Sequence, residues 1–247
     1  MVSPRHSWLR TLTDEQVPAR RLVCFPHSGG TAESYAPWIP RIRPGTELLA
    51  VQYPGRADRF GEPPASGVRE MSGRVADELA GLEPVPCVLF GHSLGALVAY
   101  ETAVRLSAAG RAPESLTVSG SPPPRRAGTG RMHLASDADL WAQVCALGGM
   151  PPQVADDEEL AGILLPALRA DIAAHETYRP APGTGPLTCP VRCYHGIGDP
   201  LVDDAHLPEW AEATTGPFTL TRRAGSHFHT FADPESLAQE IQEPVGT

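Results

Sequence analysis

The periodicity of apolar and polar positions changes repeatedly along the chain. Short, near-continuous apolar runs at 21–25, 47–53, 87–90, 115–119, 191–195 and 218–221 read as strands buried on both faces. Between them, segments near 32–42, 68–82, 94–109, 206–213 and 234–242 carry helical patterns. This alternation predicts an α/β class with a mainly parallel central sheet flanked by helices. The rhythm breaks between 121 and 185. That interval opens on Ser121-Pro122-Pro123-Pro124, gives helical patterns near 137–148 and 157–178, and returns to Pro/Gly-rich loop over 179–188. A helical insertion between two sheet strands is expected to cap the strands' carboxyl ends, where ligands bind in open α/β sheets. Residues 1–247 are therefore expected to form a single domain, with 121–185 as a helical lid inserted in it.

Composition narrows the chemistry. With 247 residues, 41% hydrophobic and 20% charged, the chain can bury a sizeable core, which argues against disorder throughout. Twenty basic against 29 acidic side chains leave a net charge of −9. All twenty basic residues are Arg, and neither Lys nor Asn occurs. Without Lys there is no Schiff base, no pyridoxal-phosphate attachment and no Walker lysine. Without Asn there is no N-glycosylation acceptor and no Cys-His-Asn triad. An acidic chain with scattered arginines lacks a footprint for nucleic acid or anionic lipid. Five cysteines (Cys24, Cys87, Cys145, Cys189 and Cys193), mostly within apolar runs, read as reduced thiols in a cytoplasmic protein. Cys189 and Cys193 have no companion pair at ligand spacing, so no metal is expected. No apolar run approaches 18 residues, and no membrane span is expected.

The central motif is Gly91-His92-Ser93-Leu94-Gly95, a G-x-S-x-G between the apolar run 87–90 and a helical pattern over 96–106. Strand, tight turn and helix form a nucleophile elbow, which holds its serine in a strained conformation above the sheet. A serine hydroxyl needs a base, and the chain order for this architecture is Ser, acid, His. Asp199, in the loop Gly196-Ile197-Gly198-Asp199 just past a strand, is the expected orienting carboxylate. Asp203 and Asp204 compete with it but lie farther beyond the strand end. His227, after the small pair Gly225-Ser226, is the expected base, with His229 in reserve and His92 expected to point away from the serine. The oxyanion hole is expected to use the backbone N–H groups of Leu94 and of Ser28, the latter in the Gly-rich loop after the first predicted strand.

These residues resemble the type II, or editing, thioesterases of polyketide and non-ribosomal peptide biosynthesis, within the α/β-hydrolase superfamily. The resemblance runs from about Leu22 to Phe231. It rests on Phe25-Pro26-His27-Ser28-Gly29-Gly30, Pro54-Gly55-Arg56, Phe90-Gly91-His92-Ser93-Leu94-Gly95-Ala96 with Glu101, and Leu165-Pro166-Ala167-Leu168-Arg169-Ala170-Asp171 with Glu176-Thr177-Tyr178. Gly198-Asp199, Trp210 and Ser226-His227-Phe228 complete it. Carried over, it gives the same Ser93, Asp199 and His227, and the Ser28 and Leu94 amides. The chain departs from the family in having Ser28 where Ala is frequent and His229 where an aromatic is usual. The resemblance implies hydrolysis of acyl thioesters from the phosphopantetheine arm of an acyl or peptidyl carrier protein, without cofactor. It also implies an acyl pocket in the insertion, for which Trp141, Leu147, Met150, Leu164 and Leu165 are candidates. Because such carriers are usually acidic, as this chain is, docking is expected to use a local apolar or Arg-bearing patch, near Arg125, Arg126 and Arg131. The alternatives on the same residues are a small-molecule carboxylesterase and a non-catalytic acyl-carrier-binding protein.

Overall fold

The computed structural model describes residues 7–150 and 152–245. Residues 1–6, 151, 246 and 247, which the expected domain 1–247 includes, lie outside the described residues. Seven strands form one sheet: β1 (Leu9–Thr11), β2 (Arg20–Phe25), β3 (Thr46–Val51), β4 (Cys87–His92), β5 (Ser115–Ser119), β6 (Val191–Gly196) and β7 (Phe218–Arg223). Their spatial order is β1-β3-β2-β4-β5-β6-β7, and every pairing is parallel except β1 with β3. The antiparallel edge strand β1 has no counterpart among the sequence expectations, because three residues are too few to show a period.

Alternation along the central strands sends side chains to two cores. Val23, Phe25, Leu49, Val51 and Leu89 pack with α1 (Val68–Ala80) and α2 (Leu94–Ala108). Leu22, Cys24, Leu48, Ala50, Val88 and Phe90 face Tyr35, Trp38 and α6 (Pro234–Glu240) on the other side. Both strand faces are buried, which is why these runs look continuously apolar. Two segments expected as helices, near 32–42 and 206–213, are 3₁₀ helices at Ala32–Arg41 and Asp204–Ala213. Prolines 37, 40 and 208 lie inside them, and each removes an N–H that an α-helix would need.

Between β5 and β6 the chain forms α3 (Asp137–Ala146), α4 (Pro152–Ala155) and α5 (Glu158–Glu176). Ser136 and Asp157 cap α3 and α5 by accepting hydrogen bonds from first-turn amides. Leu140, Val144, Leu165, Leu168 and Ile172 give these helices an apolar cluster of their own. Among the described residues no helix is long and apolar enough to cross a membrane.

Candidate active site

The loops after β2, β3, β4, β5, β6 and β7 all lie at the carboxyl edge of the parallel strands, where the topology brings distant sequence together. Strand β4 runs on through Gly91 and His92, and α2 begins at Leu94, so Ser93 alone makes the turn. Its backbone sits at φ 56°, ψ −120°, one of two described non-glycine residues at positive φ. The flanking glycines explain how this turn fits. A Cβ on Gly91 would overlap the carbonyl of Gly95, and one on Gly95 would overlap the carbonyl of Phe25 at the end of β2. Any side chain at either position would push α2 off the sheet. Ser93 N–H donates to Ser119 O (2.8 Å), which fixes the elbow to β5. The serine thus stands at the positive end of a 15-residue helix.

His227 follows β7 and Asp199 follows β6. His227 Nδ1 lies 2.8 Å from Asp199 Oδ2, and both side chains are almost wholly buried. The other carboxylate oxygen, Oδ1, accepts from Leu201 N–H at 2.9 Å. Burial opposes ionisation of Asp199, but the bond and charge of His227 and the Leu201 amide hold its carboxyl below the usual range. Asp203 and Asp204 go elsewhere: Asp203 accepts from Ala205 N–H, and Asp204 pairs with Arg222. Ser93 and His227 line one cavity with His27, Ser28 and Gly120. Ser93 Oγ makes no hydrogen bond among the described residues.

His229 is committed below the site. Its Nε2 lies 3.2 Å from Ser119 Oγ, and that hydroxyl is also 3.2 Å from His92 Nδ1. Ser119 is 1% exposed and lies beneath the elbow rather than in the cavity. His229 therefore satisfies buried polar groups where an aromatic could only pack. Burial and neighbouring imidazoles push the pKa of His92 well below the ordinary histidine value. Burial first, then the charges of His227 and Arg56, brings His27 down to about 3. For His175 burial and His227 outweigh Glu176 and bring it to about 4. These rings are neutral at neutral pH, so no fixed imidazolium competes beside Ser93.

The backbone amides of Ser28 and Leu94 have no hydrogen-bond partner among the described residues. Leu94 N–H belongs to the first residue of α2, whose side chain is buried in the core. Ser28 lines the cavity holding Ser93 and also an adjoining one, which the two share with His27, Val144, Leu168 and Phe228.

The five expected pocket residues separate into two groups. Leu147 lines the Ser93 cavity, and Met150 and Leu164 line the adjoining one. Trp141 and Leu165 line neither. Trp141 Nε1 donates to Ala155 O (3.0 Å) and its ring packs on the helical cluster, while Leu165 is buried inside that cluster. The insertion instead gives the Ser93 cavity Met132, Val144, Leu168, Ile172 and His175. Three of these, Leu168, Ile172 and His175, stand at i, i+4 and i+7 on α5, a spacing that marks one face and could have found them. Sequence spacing had no means to reveal the His92–Ser119–His229 chain, whose members come from the ends of β4 and β5 and from the turn after β7. Among the described residues no cluster of three His, Cys, Asp or Glu could hold a metal ion.

Residues 20–244 match the family model of the thioesterase domain. Thioesterase PikA5 of Streptomyces venezuelae is 40% identical over 241 residues, covering 96% of this chain and 84% of that protein. A probable cadicidin biosynthesis thioesterase of Streptomyces griseus is 38% identical over 238 residues. The alignment covers 96% of this chain and 66% of that relative, so the chain spans just under two thirds of its length. Among solved structures, the type II thioesterase BorB from the borrelidin biosynthetic cluster superposes with a TM-score of 0.88 at 40% identity, covering 96% of this chain and 98% of that one.

Proposed function

The chain belongs to the thioesterase domain family, and from that premise we propose that it hydrolyses acyl groups from the phosphopantetheine arm of acyl or peptidyl carrier proteins, clearing misprimed or stalled synthases. Ser93 is the nucleophile, His227 the general base and Asp199 its orienting carboxylate. The observation that carries this assignment is the 2.8 Å contact between His227 Nδ1 and Asp199 Oδ2. With Nδ1 bound to the carboxylate, the proton-accepting nitrogen is Nε2, on a ring that shares its cavity with the strained Ser93.

In the first half-reaction Ser93 Oγ attacks the thioester carbonyl as its proton passes to His227 Nε2. The tetrahedral oxyanion is held by the amides of Ser28 and Leu94. The C–S bond then breaks, and the pantetheine sulfur leaves with the proton from His227. A thiolate is a better leaving group than an amine, so this step needs less acid assistance than peptide cleavage. Water, deprotonated by the same ring, then attacks the acyl-serine; the bond from the acyl carbon to Ser93 Oγ breaks, the proton on His227 returns to that oxygen, and the acid is released. No step calls on a metal or an organic cofactor.

The segment 121–185 acts as the lid, and its apolar side chains receive the acyl group: Leu147, Val144, Leu168 and Ile172 on the Ser93 side, Met150 and Leu164 on the adjoining side. Of the arginines expected at the docking surface, Arg126 is committed to Glu209 through two bonds of 2.8 Å, which weakens its claim as a carrier contact. The five cysteines are free, and burial pushes the thiol pKa values of Cys189 and Cys193 up to about 11 and about 12. Such thiols suit a reducing compartment, and we assign the enzyme to the cytoplasm.

The test is mass spectrometry of acyl-carrier substrates incubated with wild-type and Ser93→Ala protein. Wild type should release free acid from several small acyl groups at comparable rates, with an acyl adduct on the Ser93 peptide in quenched samples. The variant should release none. Undiminished release by a folded Ser93→Ala protein would overturn the assignment, and faster turnover of oxoesters than of the matching pantetheine thioesters would favour a carboxylesterase.

A further inference from the structure

We propose that Asp171 on α5 and Arg56 after β3 form a positioning pair that orients the oxyanion loop, so that the hole is assembled only when the lid helix is seated. This inference rests on the reading of Ser93 and Ser28 above. Asp171 is fully buried, and its Oδ2 accepts from Gly29 N–H at 2.8 Å. The same carboxylate takes a two-pronged grip from Arg56, with Nη2 to Oδ1 at 2.8 Å and Nη1 to Oδ2. Arg56 also donates to Pro54 O from Nε (3.3 Å) and Nη2 (3.2 Å), which anchors the pair to the loop after β3. Three loops and helices far apart in sequence thus meet at one carboxylate.

Gly29 directly follows the expected oxyanion donor, and the contact has two consequences. Its N–H is turned toward Asp171, whereas the neighbouring Ser28 amide has no partner among the described residues. Gly29 sits at φ +78°, and a Cβ there would come within 3.1 Å of Leu168 Cδ1, one turn before Asp171. The lid helix therefore touches the loop twice, through a hydrogen bond and through packing. A bare carboxylate so near a developing oxyanion would oppose it. The guanidinium cancels that charge while leaving the carboxylate free to accept from the amide.

Helix α5 is built for this task. Pro166 lacks the N–H that would bond to the carbonyl four residues earlier, and so marks off the C-terminal half of the helix. That half is tied to the body at Asp171, and just past the helix end Tyr178 OH donates to Glu101 Oε1 (2.7 Å). The N-terminal half carries Leu164 toward the adjoining cavity. Neither Asp171 nor Arg56 lines the cavity that holds Ser93, and Arg56, which borders the adjoining cavity, is replaced by Met in both variants below, so its loss cancels in their comparison. Asp171, which lines neither cavity, acts through the loop.

The experiment compares two neutral replacements of the pair, Arg56→Met/Asp171→Asn and Arg56→Met/Asp171→Leu. Each abolishes both charges, but only asparagine keeps an oxygen that can accept from Gly29 N–H. Both are assayed on a p-nitrophenyl acyl ester, whose hydrolysis needs the oxyanion hole whether or not carriers are the natural substrate. The leucine double variant should lose about 10- to 100-fold in kcat, with KM within about 3-fold of wild type. The asparagine double variant should recover at least about tenfold of that loss. Equal kcat in the two, or a loss confined to KM, would overturn the proposal, because a role in packing alone does not distinguish an acceptor from a methyl group. If the leucine variant shows no cooperative melting transition, Asp171→Ala in the Arg56→Met background makes the same comparison. Failure of wild type on acyl carriers with retained ester hydrolysis would refute the carrier reading and leave this comparison valid.

Discussion

Asp199→Asn isolates the electrostatic part of the mechanism with little disturbance of shape. The carboxylate accepts two hydrogen bonds, from Leu201 N–H at 2.9 Å and from His227 at 2.8 Å, and its side chain has no exposed surface. An asparagine that keeps the Leu201 bond turns its NH₂ toward His227 Nδ1. The ring must then accept at Nδ1 and carry its proton on Nε2, the tautomer that cannot take a proton from Ser93. The variant also loses the carboxylate charge beside the imidazolium that forms during attack. Two unit charges about 4 Å apart at an effective dielectric near 20 interact by about 4 kcal/mol. At about 1.4 kcal/mol per decade, that corresponds to a drop of about 10³-fold in kcat. The assay follows thiol release from an acyl-pantetheine thioester between pH 6 and 8. Because the Asp199 carboxyl titrates below its usual range, it is ionised throughout that window. Its contribution is lost only as pH falls through that depressed value, so titration of this carboxylate adds no pH dependence to the wild-type rate between pH 6 and 8. A cooperatively folded variant that keeps more than about a tenth of the wild-type kcat would refute the assignment of Asp199.

Two further outcomes follow from the packing. Gly95→Ala should cost about 1–3 kcal/mol of stability and about 10²-fold in kcat, since the new methyl would overlap the Phe25 carbonyl and lift α2 with its Leu94 amide; urea titration and steady-state rates read the two effects, and wild-type values in both would contradict the elbow geometry. Stability should also fall as pH drops below about 6.5, because the unfolded chain protonates His27, His92 and His175 there whereas the folded rings resist until well below, about 3 for His27 and about 4 for His175. Each such ring contributes up to about 1.4 kcal/mol per pH unit within that window, so the urea midpoint at pH 5 should lie below that at pH 7. A midpoint that is unchanged or higher at pH 5 would show that the rings are charged in the folded state.

Much of this protein could be read from local pattern. Apolar runs long enough to show a period located six of the seven strands, and Gly91-His92-Ser93-Leu94-Gly95 between a strand and a helix marked the elbow, because its strain and its glycines are set by neighbours in the chain. Chain order alone then nominated Asp199 and His227, and the structure joins these two by a hydrogen bond. Decisions that depend on side chains meeting across the sheet rim lay beyond any period. Trp141, Leu147 and Leu165 are alike apolar residues of the insertion, yet packing between helices engages Trp141 and Leu165 with the helical cluster alone, while Leu168 and Ile172 of that cluster, with His175, also line the Ser93 cavity. The same holds for Asp203 and Asp204, which carry the same carboxyl group as Asp199 four or five residues away, but which the loop after β6 directs to Ala205 and Arg222. Arg56 and Asp171 stand 115 residues apart, and nothing in either segment announces that one carboxylate will hold both a guanidinium and the amide of Gly29. Periodicity specifies which face of an element is buried; which partner it meets there is settled only when all the elements close on one another.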